Sequence, residues 1–430
     1  MRGWIATAVV LALLATIGVV SASASGSESA SGPANARPAD KPAAACAIPD
    51  VATPRDPSNP LALPTPPPAG QPLAGAHFFV DGPRHGQAAG AIAQMLGMNP
   101  MTFPNSYSWG QFESTYGSMF NAQEQALAKI ADQEETQNIS LYAEGGGPGA
   151  IFAQTRKILC DNAGADPNPV TVPVLSTFFI YPHGQFCPML PALQGWQGTF
   201  ISDVDQMVEA VGDKRAVIFE EIDSIGTSSC LHGKTLTLWL HDLSWESQRF
   251  SHLAHAVVYQ EAGYSDAGGP RWTANRLWKA GVNQIEGFYT NGTHFAWSSK
   301  EIRWAEKIST YLFRMSHHRY HAHFVVNTAQ NGQGPKLNPH PVTQGIENLC
   351  NPPGRGLGRM PTGQVNPTFD GYTFKGLDGF MWTGVPGRSH NSNCPGGPWQ
   401  AAGVFDSRFA LELAQNANQK LGPGYPSEPY

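Results

Sequence analysis

The stretch "IFEEIDSIG", residues 218–226, completes an apolar run begun by Ala216 and Val217 and then halts at Glu220, Glu221 and Asp223. Four consecutive apolar residues before the acids read as a strand buried on both faces, Ala216 to Phe219. Parallel β/α sheets place their chemistry at the C-terminal ends of such strands. The fold and the candidate site are therefore read from the same nine residues, and the question is which carboxylate works there.

Similar runs recur along the chain. Strands are expected at "HFFVD" (77–81), "ISLYA" (139–143), "VPVLSTFFIY" (172–181), "AVVYQE" (256–261), "QIEGFYTN" (284–291), "HFVVN" (323–327) and "GFMWTG" (379–384). Helical spacing fills the gaps: Phe200, Val204, Met207, Val208 and Val211 precede the Ala216 strand, and Ile302, Ile308 and Leu312 precede the His323 strand. Ser298 and Glu301 have the spacing of a capping box. Strands alternating with helices predict an α/β protein with a parallel barrel or sheet. The Gly/Pro-rich residues 331–367 read as long loops over its C-terminal face.

Outside this pattern, Arg2, the apolar run Ile5 to Val20 and Ala22-Ser23-Ala24 have the order of an export signal over residues 1–24. Residues 25–72, rich in Ala, Pro, Ser and Gly, read as a disordered linker, which leaves 73–430 for the barrel. A formal charge of −6 and the lack of a basic stripe exclude a nucleic-acid partner. Six cysteines without a CxxC pair speak against zinc and, in an exported chain, for disulfides. Spacing favours Cys187–Cys230 and Cys350–Cys394, with Cys46–Cys160 as the remaining pair. His321 and His323 share one strand face, a spacing that can hold a metal, but no third ligand is visible and they fall at the N-terminal end of a strand. No metal or other cofactor is expected. The chain is expected to be a monomer.

Several strand ends match one family in order. "VIFEEIDSI", "VVYQEAGYSDAGGPRW", "GFYTNGTHF", "HFVVNTAQNG", "CNPPGRGLG" and "GFMWTGVPGRSHNSNC" together resemble glycoside hydrolase family six, the secreted endoglucanases and cellobiohydrolases. The resemblance implies a distorted parallel β/α barrel of about seven to eight strands, cleavage of β-1,4-glucan or a related polysaccharide with inversion, and no metal. It places Asp223 on the general acid, in Glu221-Ile222-Asp223-Ser224, where the family has proline at the Ile222 position. Glu261 replaces an aspartate, and Asn291 matches an asparagine that touches sugar. Glu261, Asn291, Trp272 and Trp382 are the expected substrate-binding residues.

The departures fall at the chemistry. Phe186 stands where the family carries the aspartate that supports the acid. Gly384, Arg388 and His390 replace a lysine, a glutamate and the aspartate that is the usual candidate base. Asn327 and Gln330 replace an aspartate and an arginine, and Leu349 a tryptophan. Inverting hydrolysis needs one group to donate a proton and another to activate water, so His390 becomes the expected base. Glu261 or Asp266, relaying through water, is a further candidate. Two other readings of the same residues stand beside hydrolysis: a barrel that binds glycan with little or no turnover, and an envelope protein held by an uncleaved N-terminal helix.

Overall fold

The computed structural model describes residues 46–140, 149–335 except 167 and 169, 351–365, 368–369, 372–373 and 375–423 except 395. The export signal, the first part of the linker, Leu349 and Cys350 lie outside them. The strands are β1 (His77–Phe78), β2 (Gln137–Ile139), β3 (Thr171–Val172), β4 (Val174–Thr177), β5 (Ala216–Glu220), β6 (Ala256–Glu261), β7 (Gly287–Thr290), β8 (His323–Asn327), β9 (Thr368–Phe369), β10 (Tyr372–Thr373) and β11 (Leu377–Met381). The helices are α1 (Gln87–Met95), α2 (Trp109–Tyr116), α3 (Ala122–Ala131), α4 (Ala150–Lys157), α5 (Leu190–Val211), α6 (Gly233–Phe250), α7 (Pro270–Lys279), α8 (Ser298–Met315) and α9 (Ser407–Gln415).

Among the described residues, seven strands form one parallel sheet in the spatial order β11–β8–β7–β6–β5–β4–β2. It curls into a distorted β/α barrel. Side-chain parity explains the near-continuous apolar strands. Val217 and Phe219 of β5, Val257 and Tyr259 of β6, Tyr289, Val325 and Met381 point inward and pack together. Ala216 and Ile218, Val258, Phe288, Phe324 and Val326 point outward against the helices. Both faces are buried, so neither needs polar residues. The edge strands β2 and β11 are linked by side chains: the Thr136 hydroxyl donates to the Trp382 carbonyl, and Glu134 accepts from the Trp382 amide at 3.4 Å. A separate apolar cluster joins α1, α3 and α9 to Trp382.

The boundary at residue 73 is corrected. Residues 46–72 belong to the folded body. Leu61 and Leu63 are buried with Leu73 inside the barrel. Arg215 donates to the carbonyls of Leu61 and Ala62, both at 2.8 Å, and Lys214 pairs with Asp50 at 2.6 Å. Composition averages over the segment and hides two leucines that have an apolar floor to fill. Cys46–Cys160 ties the same segment down, and Cys187–Cys230 joins the segments that follow β4 and β5. No helix among the described residues is long and apolar enough to cross a membrane.

The capping box is also revised. Trp297 is the N-cap of α8 and makes no side-chain cap bond. Glu301 instead accepts from the Ser265 amide at 3.1 Å, and the Ser298 hydroxyl accepts from Asn331 at 3.1 Å. His323 meets two acids the sequence left apart. Its Nδ1 lies 2.6 Å from Asp378 and 3.7 Å from Glu286. Burial opposes its charge, but the hydrogen bond and charge of Asp378, with Glu286, push it up to about 9. His321 packs against Phe313 instead.

Candidate active site

Parity sorts the carboxylates of the opening stretch. Glu220 continues the outward register of Ala216 and Ile218, so it points behind the barrel. There it accepts from Ser247 of α6 at 2.7 Å and lies 3.4 Å from the Gln260 amide. Glu221 leaves the strand with φ 44° and turns back, taking the amides of Phe179 and Ile180 at 2.8 to 3.1 Å. Both are fully buried, and burial raises both above the ordinary carboxylate range. Asp223, one turn further on, is partly exposed. Of the three acids it alone is accessible to a ligand.

Asp223 sits with φ 66°. Its Oδ1 lies 3.3 Å from the Thr293 hydroxyl, which in turn lies 3.0 Å from the Tyr264 hydroxyl. Burial pushes its carboxyl up to about 6, against the charge of His294 and the Thr293 hydrogen bond, which hold it down. That is the direction required of a group that must keep a proton to donate. Tyr181 lines the same turn, 3.3 Å from Thr227 through its hydroxyl. Phe186, 53% exposed, packs on Tyr181 with ring centroids 4.8 Å apart. Where the family has a carboxylate beside the acid, this chain presents an aromatic face.

The expected sugar-contacting residues are placed differently. Glu261 is fully buried; its Oε2 accepts from the amides of Ile225 and Gly226 at 2.8 and 2.9 Å, and burial pushes it up to about 8. It holds the turn that carries Asp223. Asn291 is also fully buried, with φ 67°; it donates to the Asn327 carbonyl at 3.1 Å while Asn327 donates back to the Asn291 carbonyl at 2.8 Å. Trp382 is fully buried, with its indole donating to the Arg359 carbonyl at 3.2 Å. Trp272 lies on α7 with the Arg276 guanidinium 3.7 Å from its ring centroid, so that ring face is covered. Glu261, Asn291 and Trp382 are closed off from a sugar ring, whereas Trp272 is half-buried with one ring face covered by Arg276. The sequence names the position of a side chain but not its direction.

His390 is linked to Thr293 through Gln330. Its Nε2 lies 3.1 Å from Gln330 Oε1, and Gln330 donates to the Thr293 carbonyl at 3.0 Å. The ring lies against Phe295, centroids 5.6 Å apart. Thr293, Tyr264 and His294 were not anticipated as site residues. The signal was available: they leave the ends of adjacent strands, β6 and β7, within three or four residues of Glu261 and Thr290. The large hollow of about 760 Å³ lined by Leu63, Pro66, His77, Asn168 and Gln364 shares no residue with this cluster.

The family model "Glycosyl hydrolases family 6" matches residues 191–417. The chain belongs to glycosyl hydrolase family 6. As a family 6 member it is a cellulase-like glycoside hydrolase by class. Endoglucanase 1 of Streptomyces sp. (strain KSM-9) is 27% identical over 282 residues, covering 64% of this chain and 70% of that protein. Endoglucanase 1 of Streptomyces halstedii is 26% identical over 263 residues, covering 58% and 71%. Among solved structures, the endoglucanase Cel6 of Mycobacterium tuberculosis, in complex with methyl-cellobiosyl-4-deoxy-4-thio-β-D-cellobioside, superposes with a TM-score of 0.60 at 24% identity, over 80% of this chain and 99% of that one. The catalytic core of the cellobiohydrolase Cel6A of Chaetomium thermophilum gives 0.57 at 16%, over 81% and 99%. These likenesses establish the family 6 barrel.

Proposed function

We propose that the protein is an exported family 6 hydrolase that cleaves a β-1,4-glucan or a related polysaccharide with inversion, Asp223 protonating the departing glycosidic oxygen. The observation that carries this is Asp223 itself: a partly exposed carboxyl raised to about 6, at the end of β5, held in place by a turn that Glu261 organises. Donation lets the leaving sugar depart as an alcohol rather than an alkoxide, an effect worth about 10²–10⁴ in rate. The disulfides Cys46–Cys160 and Cys187–Cys230 support assembly in an oxidising compartment. The replacements at Leu349 and in the last loop, at Gly384, Arg388 and His390, support a glycan other than plain cellulose as a candidate.

The test is a panel of cello-oligosaccharides, mixed-linkage glucans and related polysaccharides, with product anomers read by NMR. Wild-type protein is expected to release reducing sugar in the α configuration from a β-linked chain, and Asp223→Asn to abolish release. An equally active Asp223→Asn protein would remove the acid assignment. The replacement of two family aspartates by Phe186 and His390 favours a second reading, a barrel that binds glycan without turnover. Saturable binding with no sugar released by the wild type would establish it.

A further inference from the structure

Family 6 chemistry needs a group that takes a proton from water, and His390 stands where the family carries a carboxylate. In this chain His390 Nε2 is engaged with Gln330 and its ring contacts Phe295 and the edge of Phe409. A different histidine close by has the surroundings of a base. His294 Nδ1 lies 2.9 Å from Asp266 Oδ1, and its Nε2 has no hydrogen-bond partner among the described residues. The two side chains are 11% and 25% exposed, so the pair is sheltered but not sealed. The ring lies flat on Tyr264, centroids 3.5 Å apart and planes within 4°. A carboxylate at Nδ1 holds the proton there and leaves the lone pair on Nε2, the tautomer a base requires.

The neighbours connect this pair to the acid. Thr293 precedes His294 in the chain and touches Asp223 through its hydroxyl, and the Tyr264 ring that carries His294 reaches the same hydroxyl. Once His294 has taken a proton, its charge lies close enough to be felt at Asp223. Around Asp266, burial opposes the charge, while the hydrogen bond and charge of His294, with Lys300, hold it below the ordinary value. Glu301, bonded to the Ser265 amide, and Asp223 also face this segment.

We propose that His294, oriented by Asp266, is the general base of this enzyme. The proposal rests on the hydrolytic reading above. In the step, water attacks the anomeric carbon and gives one proton to His294 Nε2. The C–O bond to the leaving sugar breaks, and its oxygen takes the proton of Asp223. The products are two sugar hydroxyl groups, one on an inverted anomeric carbon. His294 then returns its proton to solvent, and Asp223 regains one from it. Asp266 touches neither water nor sugar and is a positioning residue.

The experiment compares full-length wild type, His294→Gln, Asp266→Asn and His390→Gln on an aryl β-cello-oligosaccharide, with and without azide, an anion that attacks without needing a base. His294→Gln is expected to lower kcat by about 10²–10⁴ with KM little changed, and azide to restore turnover as the α-glycosyl azide. Asp266→Asn is expected to lower kcat in the same way, also with azide rescue. Rescue is visible only in a folded protein, so it separates lost chemistry from lost structure. If wild type turns over and His294→Gln equals it, the base assignment falls while the hydrolytic reading stands. If His390→Gln is instead the variant that azide rescues, the base is His390. A wild type without turnover overturns both.

Discussion

Asp223 and Glu221 both adopt positive φ within one short turn, 66° and 44°. Left-handed backbone costs about 1–2 kcal/mol for a non-glycine residue, least for Asp and Asn. The turn persists because buried Glu261 takes the Ile225 and Gly226 amides while Glu221 takes those of Phe179 and Ile180. Asn at position 223 suits the same backbone, so Asp223→Asn should keep the melting temperature while losing the proton. With the carboxyl at about 6, the protonated fraction falls as pH rises through that value. The rate of hydrolysis in kcat/KM is therefore expected to decline about tenfold per pH unit above it, which a pH–rate profile measures. At this scale Asp223 was legible, since a strand end and a motif coincide there. Glu261, Asn291 and Trp382 were not, because burial depends on the turn that each side chain faces. Trp272 is intermediate: Arg276 lies four residues on, and that spacing on a helix already brings side chains together.

The segments after β5 and β6 touch at Gly226 and Gly263. A Cβ on Gly226 would lie 2.8 Å from the Tyr264 ring and 3.1 Å from the Gly263 Cα. The close approach lets Tyr264 lie flat on His294 and reach Thr293. Gly226→Ala is expected to cost about 1–3 kcal/mol from overpacking, measured by denaturant unfolding. Turnover should fall further than stability alone explains, because the displaced ring carries His294. The strands were legible as elements because both faces are apolar, and their C-terminal ends were placed closely at β5, β6 and β8. What spacing did not show was contact between turns. Ser298 and Glu301 fit a local cap yet bond to Asn331 and Ser265, partners remote in sequence.

Across the whole molecule, buried carboxyls dominate the response to pH. Burial raises Glu220 and Glu221, and takes Glu261 to about 8 and Glu301 to about 7, from an ordinary value of 4.5. The folded protein therefore binds more protons than the unfolded chain between about pH 4.5 and 8. Stability falls with rising pH wherever the native state holds the extra protons. His323 adds a loss in the same direction as pH rises through about 9. Melting temperatures by circular dichroism are expected to decrease from pH 5 to pH 8, with a change in folding free energy on the order of a few kcal/mol. Glu261→Gln, which cannot ionise, should flatten part of that slope. The barrel class was legible at this scale from alternation alone. The start of the folded body was not, since a proline-rich average says nothing of where individual leucines go.

Those leucines have a practical edge. Leu61 and Leu63 stopper the barrel from below. Trimming the chain back to Leu73, as its composition invites, would uncover the apolar residues these leucines pack on and strip Arg215 of both carbonyls it grips. The shortened protein should melt earlier than one beginning at Cys46, although every strand that carries the chemistry would still be present.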